Sequence, residues 1–346
     1  VGSEMCIRDS LHAHTEYSML DGAAKIVDYL NKVKELNQPA AAITDHGNLY
    51  GAMEFVQKAN DYGIKPIIGY EAYITPGSRF ERPDRENNKR YHLTLLAENN
   101  IGYQNLVELA SKSYTEGYYY KPRIDYELLD QHHDGLIALS GCLGGELAQH
   151  LAPDGSVEEG NTSNERSFEK ALDIAKKYQS IFGKENYFIE IHNHGIKQQL
   201  DILDDLVEIA ELIDAPLVAA NDSHYVEENG AEAHDALLCV QTNRTLDDES
   251  RFRFDGSGYY VKSSEEMRKL FPEDKYPGAC DNTLAIADRV NYEFNFDNSY
   301  LPDFPIEDKN VSPEELLKIK VYEGGERKYG TLTSEIIERI DYELDV

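Results

Sequence analysis

Short apolar runs alternate along this chain with stretches whose apolar residues recur at helical spacing, and that alternation leaves few folds open. The runs are "AAAIT" (40–44), "KPIIGYEAYI" (65–74), "YHLTLLA" (91–97), "GLIALSG" (135–141), "YFIEIH" (187–192) and "PLVAAND" (216–222). Between them, residues 23–36 place Ile26, Val27, Leu30, Val33 and Leu36 on one helical face. Residues 168–183 do the same with Phe168, Leu172, Ala175, Tyr178 and Ile181, and Gly183 stands where a helix stop belongs. Residues 200–213 form a third such stretch. Strand-then-helix units predict an α/β fold with parallel strands, and many in a row predict a closed barrel. After about residue 228 the pattern changes. Residues 251–274 mix a short strand-like piece with a helix, and 297–313 is rich in Pro and Asp and reads as a linker. Helical patterns then cover 313–328 and 333–345; the second runs into the last residues with no stop signal, so the chain reads as cut.

Donor side chains gather at the ends of the predicted strands. His12 and His14 lie in the first segment, Asp45 and His46 follow "AAIT", and Glu71 sits in "IIGYEAY". His92 opens "HLTLLA", Cys142 follows "LIALSG", and Asp222 and His224 follow "LVAAN". In a parallel barrel the strand ends face one way, so these side chains would converge on one mouth. Imidazole, carboxylate and one thiolate are donors that Zn²⁺ and related divalent ions accept. Each residue also has a plainer reading. Alternation points both rings of a His-x-His to one face with or without a metal. Asp222 could cap a helix, Asp45-His46-Gly47 could be a turn, Glu71 could be exposed, and Cys142 could be a small buried hydrophobe. Their joint placement at successive strand ends favours a multinuclear metal site. His192 and His194 repeat the His-x-His pattern and read as support or substrate contacts; His132 and His133 read as solvated, His150 and His234 as structural. "YYYKPRID" (118–125) offers Lys121 and Arg123 as phosphate contacts or as a solvated basic pair.

The 346 residues suffice for one large domain and part of another. No run of about 18 apolar residues marks a membrane helix, and no signal peptide is visible. The four cysteines, Cys6, Cys142, Cys239 and Cys280, are scattered, which fits a reducing, cytoplasmic setting. The net charge of −30 is a poor surface for gripping nucleic-acid phosphates. Solubility explains it most simply, and a chain of this charge that handles DNA needs bound cations or another region to offset the repulsion.

The ordered segments "HAHTEYSMLDGAAK", "AAITDHGNLYGAMEF", "GIKPIIGYEAYITPGSRF", "LIALSGCLGGE" and "LVAANDSHYV" resemble the PHP (polymerase and histidinol phosphatase) metal-hydrolase superfamily. With "YYYKPRID", "HDALLCVQTNRTLDD", "RFRFDGSGYYVKS" and "YLPDFPIE", residues 11–346 are similar, more narrowly, to the N-terminal part of the alpha subunits of bacterial C-family replicative polymerases. That resemblance implies a distorted (β/α)7 PHP barrel, with a PHP domain over 11–280, a connecting segment over 281–312 and the start of a polymerase palm over 313–346. It implies two or three divalent ions, Zn²⁺ or Mn²⁺, on His12, His14, Asp21, His46, Glu71, His92, Cys142, Asp222 and His224, all metal-competent here. The implied activity is metal-assisted 3′→5′ exonuclease proofreading of a DNA primer, with Asp222, Glu71 and His224 catalytic. The palm aspartates that use Mg²⁺ for DNA polymerisation are not expected in this chain. The implied partners are primer-template DNA, the sliding clamp, the clamp loader and, where proofreading is delegated, a separate exonuclease subunit; no membrane is implied. Two other readings stay open: a stand-alone phosphatase of small phosphate esters, and a metal-stabilised scaffold without activity. One departure stands out. The family has an apolar strand directly before His-x-His, whereas residues 1–10, "VGSEMCIRDS", look like translated adapter sequence and read as non-native.

Overall fold

The computed structural model describes residues 11–84, 87–153, 165–294, 301–302 and 304–346, so the expected non-native start at 1–10 lies outside it. The chain forms two compact units, residues 1–293 and 294–346. In the first, seven strands build one sheet: β1 (Ala40–Ile43), β2 (Lys65–Ile74), β3 (Tyr91–Ala97), β4 (Arg123–Ile124), β5 (Leu136–Leu139), β6 (Tyr187–Ile191) and β7 (Leu217–Ala219). Their order is β1-β2-β3-β5-β6-β7, with β4 paired to β2. The flanking helices include α1 (Ile26–Glu35), α2 (Ala52–Tyr62), α3 (Asn100–Thr115), α4 (Tyr126–Gln131), α5 (Glu146–Leu151), α6 (Phe168–Phe182) and α7 (Lys197–Ile213). Their local causes are legible. α1 buries Ile26, Leu30 and Val33, and α6 starts on a Ser167 cap and ends at Gly183, where φ is +80°.

The sheet is mixed, not all parallel as its alternating pattern predicts. β1 and β2 run parallel, as do β5, β6 and β7, but β3 is antiparallel to both β2 and β5. The reason is the connection between β2 and β3. The described part of residues 75–90 holds no helix, so the chain turns back instead of crossing over. The reversal has a consequence for chemistry: the start of β3 lies beside the end of β2, with His92 opposite Tyr73.

Residues 11–15 complete the ring by bridging its two ends. The Thr44 amide donates to the Ala13 carbonyl at 2.9 Å, while the His14 amide donates to Ser223 O at 2.8 Å and the Ser223 amide to His12 O at 3.1 Å. Inside, Leu11, Ala40, Ala42, Ile67, Leu96, Ile137, Leu139, Phe188 and Val218 form the core. In β2, β3 and β6 these residues share the face that carries the polar groups further up. Ile67 is in phase with Glu71, Leu96 with His92, and Phe188 with Glu190, since alternate residues line one face. An apolar floor therefore lies beneath a polar mouth. The floor is sealed by Ile286, Ala287 and Val290 of α10 (Asp281–Arg289) and the turn that follows it. The first compact unit runs to residue 293, and α10 is part of its core.

After the barrel come α8 (Ala231–Thr242) and α9 (Ser264–Leu270). The second unit contains α11 (Pro313–Tyr329), which starts with a Ser312–Glu315 capping box, and α12 (Ser334–Asp345). No helix of the described residues is long and apolar enough to cross a membrane.

Candidate metal centre

The donors at the mouth face one another; six are buried, and Asp21, His46 and Cys142 are half-buried. His12 Nε2 is 3.3 Å from Glu71 Oε1 and 3.4 Å from Asp222 Oδ1, and His14 Nε2 is 3.1 Å from the same Asp222 oxygen. His46 Nδ1 is 2.6 Å from Glu71 Oε2, and its Nε2 is 2.9 Å from Asp21 Oδ2. His92 Nδ1 lies 3.0 Å from Glu71 Oε1, and Cys142 Sγ lies 3.6 Å from both. The His14 and His224 rings stack at 4.3 Å. All nine residues expected at the mouth are therefore brought to one cluster, with Glu71 at its middle. Within it, His14, His46 and His224 place donor atoms within 4.8 Å of one another, as do His12, His14 and Asp222, and His46, Glu71 and His92.

The donor set fits cations. His12 Nε2, His14 Nε2, His224 Nε2, Glu71 Oε2 and Asp222 Oδ1 are buried and make no aligned hydrogen bond, although they crowd one another. Leaving a buried polar atom unmet costs about 1–3 kcal/mol, so several facing one another call for a shared partner. Imidazole, carboxylate and thiol together suit zinc, and the oxygen-rich positions suit manganese as well.

Electrostatics divides the histidines. Burial pulls the His12 pKa down, but the Asp222, Glu190 and Glu71 carboxylates outweigh it and hold it well above the ordinary value. His46 behaves alike, with Tyr73, Glu71 and Asp21 as its partners. His14 is the opposite: burial, with His46 and His224 beside it, lowers it to about 3. Burial works against charge on Glu71 too, yet His92, His46 and His12 keep it well below the usual carboxylate range. Burial, with Glu71 and Asp222 nearby, pushes the Cys142 thiol up to about 11.

A supporting layer fixes the rings. Glu190 Oε1 accepts from His12 Nδ1 at 2.7 Å and lies 2.8 Å from His192 Nε2, and its Oε2 accepts from the Gly141 amide at 2.9 Å. This leaves His12 Nε2 aimed into the cluster, the arrangement by which a carboxylate sets a ligand's tautomer. Gly141 has φ +90°, and a Cβ there would sit 2.8 Å from His92 O, so no side chain fits. His14 Nδ1 is 2.8 Å from Ser18 Oγ, which donates to Asp45 at 2.8 Å; Asp45 also accepts from the Thr15 amide and hydroxyl. Asp45 thus holds the first loop and does not join the cluster. Asp222 adopts φ +48°, a conformation costly for most residues and tolerated best by Asn and Asp. His234 Nε2 lies 2.8 Å from Asp21 O. Glu190 is missing from the sequence-based site because it alternates with apolar residues in "YFIEIH". The available signal was its phase with Phe188 and His192.

Of the two expected phosphate contacts, Lys121 lines the cavity of about 710 Å³ that opens over the cluster. Arg123 does not. It is fully buried, and its guanidinium donates to the carbonyls of Gly117, Arg79 and Glu81 and to Asn88 Oδ1. With its donors spent on backbone, it is a tether for loops and not a phosphate contact.

A barrel whose mouth gathers nine such donors defines a class, and comparison agrees with it. Residues 10–194, more than half of the chain, match the PHP domain family, and the chain belongs to that family. Beyond the domain, it is 42% identical to DNA polymerase III subunit alpha of Treponema pallidum, over 97% of this chain and 28% of that subunit. The Mycobacterium tuberculosis H37Rv subunit is also 42% identical over 97% of the chain, and the Thermus aquaticus subunit 43% over 89%. The chain spans less than a third of these relatives' length, 25–29%. A Bacteroides vulgatus two-domain protein described as containing a PHP-like metal-dependent phosphoesterase aligns with TM-score 0.34 and 13% identity, covering 63% of this chain and 52% of that one, too weakly to carry an argument.

Proposed function

We propose that this chain is the amino-terminal region of a replicative DNA polymerase alpha subunit, and that its barrel mouth hydrolyses phosphodiesters at the 3′ end of a DNA strand. The observation that carries this is the donor cluster: nine residues, Glu71 and His92 on strands and the other seven outside the helices and strands, all of them able to bind metal. His12, His14, Glu71 and Asp222 are positioned to hold one ion, with His46, His92, Cys142, Asp21 and His224 completing positions for one or two more, Zn²⁺ or Mn²⁺. When bound, such ions supply Lewis acidity and make water acidic near neutral pH. The protein's own part is to orient. Glu190 and Ser18 turn the His12 and His14 rings, and Glu71 and Asp222 stand between donor groups where they can bridge. Cations bound among the Glu71, Asp222 and Asp21 carboxylates would add positive charge at the mouth, which is how an acidic chain admits a phosphodiester. Polymerisation with Mg²⁺, and contacts with clamp, clamp loader or a separate exonuclease, are assigned to the whole subunit.

The test uses the subunit with its natural start, a mismatched primer labelled away from its 3′ end, and Zn²⁺ or Mn²⁺. Wild type shortens the primer, and Asp222→Asn, which suits the φ of +48°, slows this at least about 100-fold, the scale expected when a metal-clamping group is lost. Equal shortening by both proteins would sink the site assignment. No shortening by either, with metal still raising the melting temperature, would leave a metal-stabilised scaffold as the function.

A further inference from the structure

The cavity over the cluster has a rim unlike the rest of this acidic chain. Lys121 and Arg253 line it, and so do the exposed aromatic rings of Tyr120 and Phe252. Tyr120 is 65% and Phe252 42% exposed. The two pairs come from two separate segments, residues 120–121 and 252–253. Lys121 Nζ lies 3.1 Å from the Tyr73 hydroxyl, and the Tyr73 ring is 5.2 Å from that of His92 and 6.0 Å from that of His46. Arg253 adjoins Phe254, whose ring is 4.8 Å from His224. Each segment therefore presents one cation and one exposed aromatic next to the donors.

Tyr120 is not there by default. Its φ is +63°, a conformation that a bulky residue keeps only when its surroundings impose it. Those surroundings are visible: Tyr119 packs edge-on against it at 4.7 Å and is itself anchored by its hydroxyl to Pro83 O at 2.8 Å. The strained backbone holds an apolar ring at a wet mouth, where burial gives it no reason to be.

We infer that this rim holds a single-stranded polynucleotide by its last few residues, with bases stacked on Tyr120 and Phe252 and backbone phosphates on Lys121 and Arg253. Aromatic faces accept any base, and cations follow the backbone, so the rim selects strand over sequence. It also selects strand over monomer, since two cations and two aromatic faces on separate segments engage more than one nucleotide. The inference rests on the proposed phosphodiester reading and adds what grips the strand.

The test is equilibrium binding of a phosphorothioate-linked oligothymidine of roughly eight nucleotides, which resists hydrolysis, to the Mn²⁺-loaded chain, with thymidine monophosphate as competitor. Tyr120→Ala and Phe252→Ala should each weaken binding about tenfold, and Tyr120→Trp should restore it. Arg253→Ala should lower the slope of log affinity against log salt by about 0.7, one phosphate contact. Melting curves of each variant separate lost binding from lost fold, and Tyr120→Trp keeps the test open should Tyr120→Ala unfold. Binding indifferent to Tyr120, Phe252 and Arg253, or a monomer that displaces the strand at equal concentration, overturns the inference. Strand binding that responds as stated, with no shortening of an ordinary primer, leaves the rim in place and removes the exonuclease reading instead.

Discussion

At the scale of single residues, Glu190 decides how His12 presents itself. Its carboxylate lies 2.7 Å from Nδ1, so Nε2 is left to the cluster. Replacing Glu190 with Gln weakens the acceptor without emptying the space. Metal affinity, measured by competition with a chromogenic chelator, should fall about 10- to 100-fold while the melting curve of the metal-free protein stays close to wild type. Protons are the other competitor. His12 and His46 have pKa values held well above the ordinary 6.5 in the metal-free protein, so they carry protons at pH 7 that an ion must displace. Affinity therefore rises with pH through and above neutrality, and calorimetry in buffers of different ionisation enthalpy should record proton release on binding. Affinity flat across pH 6–9 would contradict the charge state assigned to both rings.

At the scale of elements, Glu146 shows how helices are tied together away from the mouth. It is the first residue of α5, is buried, and accepts from the hydroxyls of Tyr126 on α4 and, at 2.9 Å, Tyr178 on α6. Burial raises its pKa above the ordinary 4.5, and the two tyrosines only partly counter that. The sign follows from linkage. A raised folded-state pKa means folding favours the proton, so the stability is fully present below about pH 4.5 and is lost as pH rises through the folded pKa. Glu146→Gln removes the charge and keeps an acceptor. It should melt higher than wild type at pH 7 and the difference should close below pH 4; a lower melting point at pH 7 would refute the argument. Short elements carry no local period. Six of the seven strands match apolar runs, but β4 is two residues long and carries no periodicity. Its Arg123 reads as a surface cation in "YYYKPRID". It is instead the tether that four oxygens claim, because its guanidinium offers several donors in a fixed fork.

At the scale of the whole molecule, the barrel has an apolar floor and a charged mouth, and the mouth's unmet donors set its stability. Ions that bind the folded chain and not the unfolded one stabilise it by mass action, about 2.7 kcal/mol at a free concentration of 100 times the dissociation constant. Stripping metal with a chelator should therefore lower the melting temperature by several degrees, and Zn²⁺ or Mn²⁺ should restore it. Unchanged melting would mean that the cluster does not hold an ion in solution.

By itself the sequence determined the residue types, their order and their local periods. Alternation and helical spacing marked the α/β units, and the donors His12, His14, His46, Glu71, His92, Cys142, Asp222 and His224 stood near strand ends before any fold was drawn. Three things were decided only in the tertiary structure. β3 runs backwards, bringing His92 to the mouth from the start of a strand. Residues 11–15 close the ring between Thr44 and Ser223. α10 seals the floor with Ile286 and Ala287 from far along the chain. Each depends on hydrogen bonds or apolar contacts between segments distant in sequence. A local period reports which face of an element is apolar, and it carries no information about which other element that face will meet.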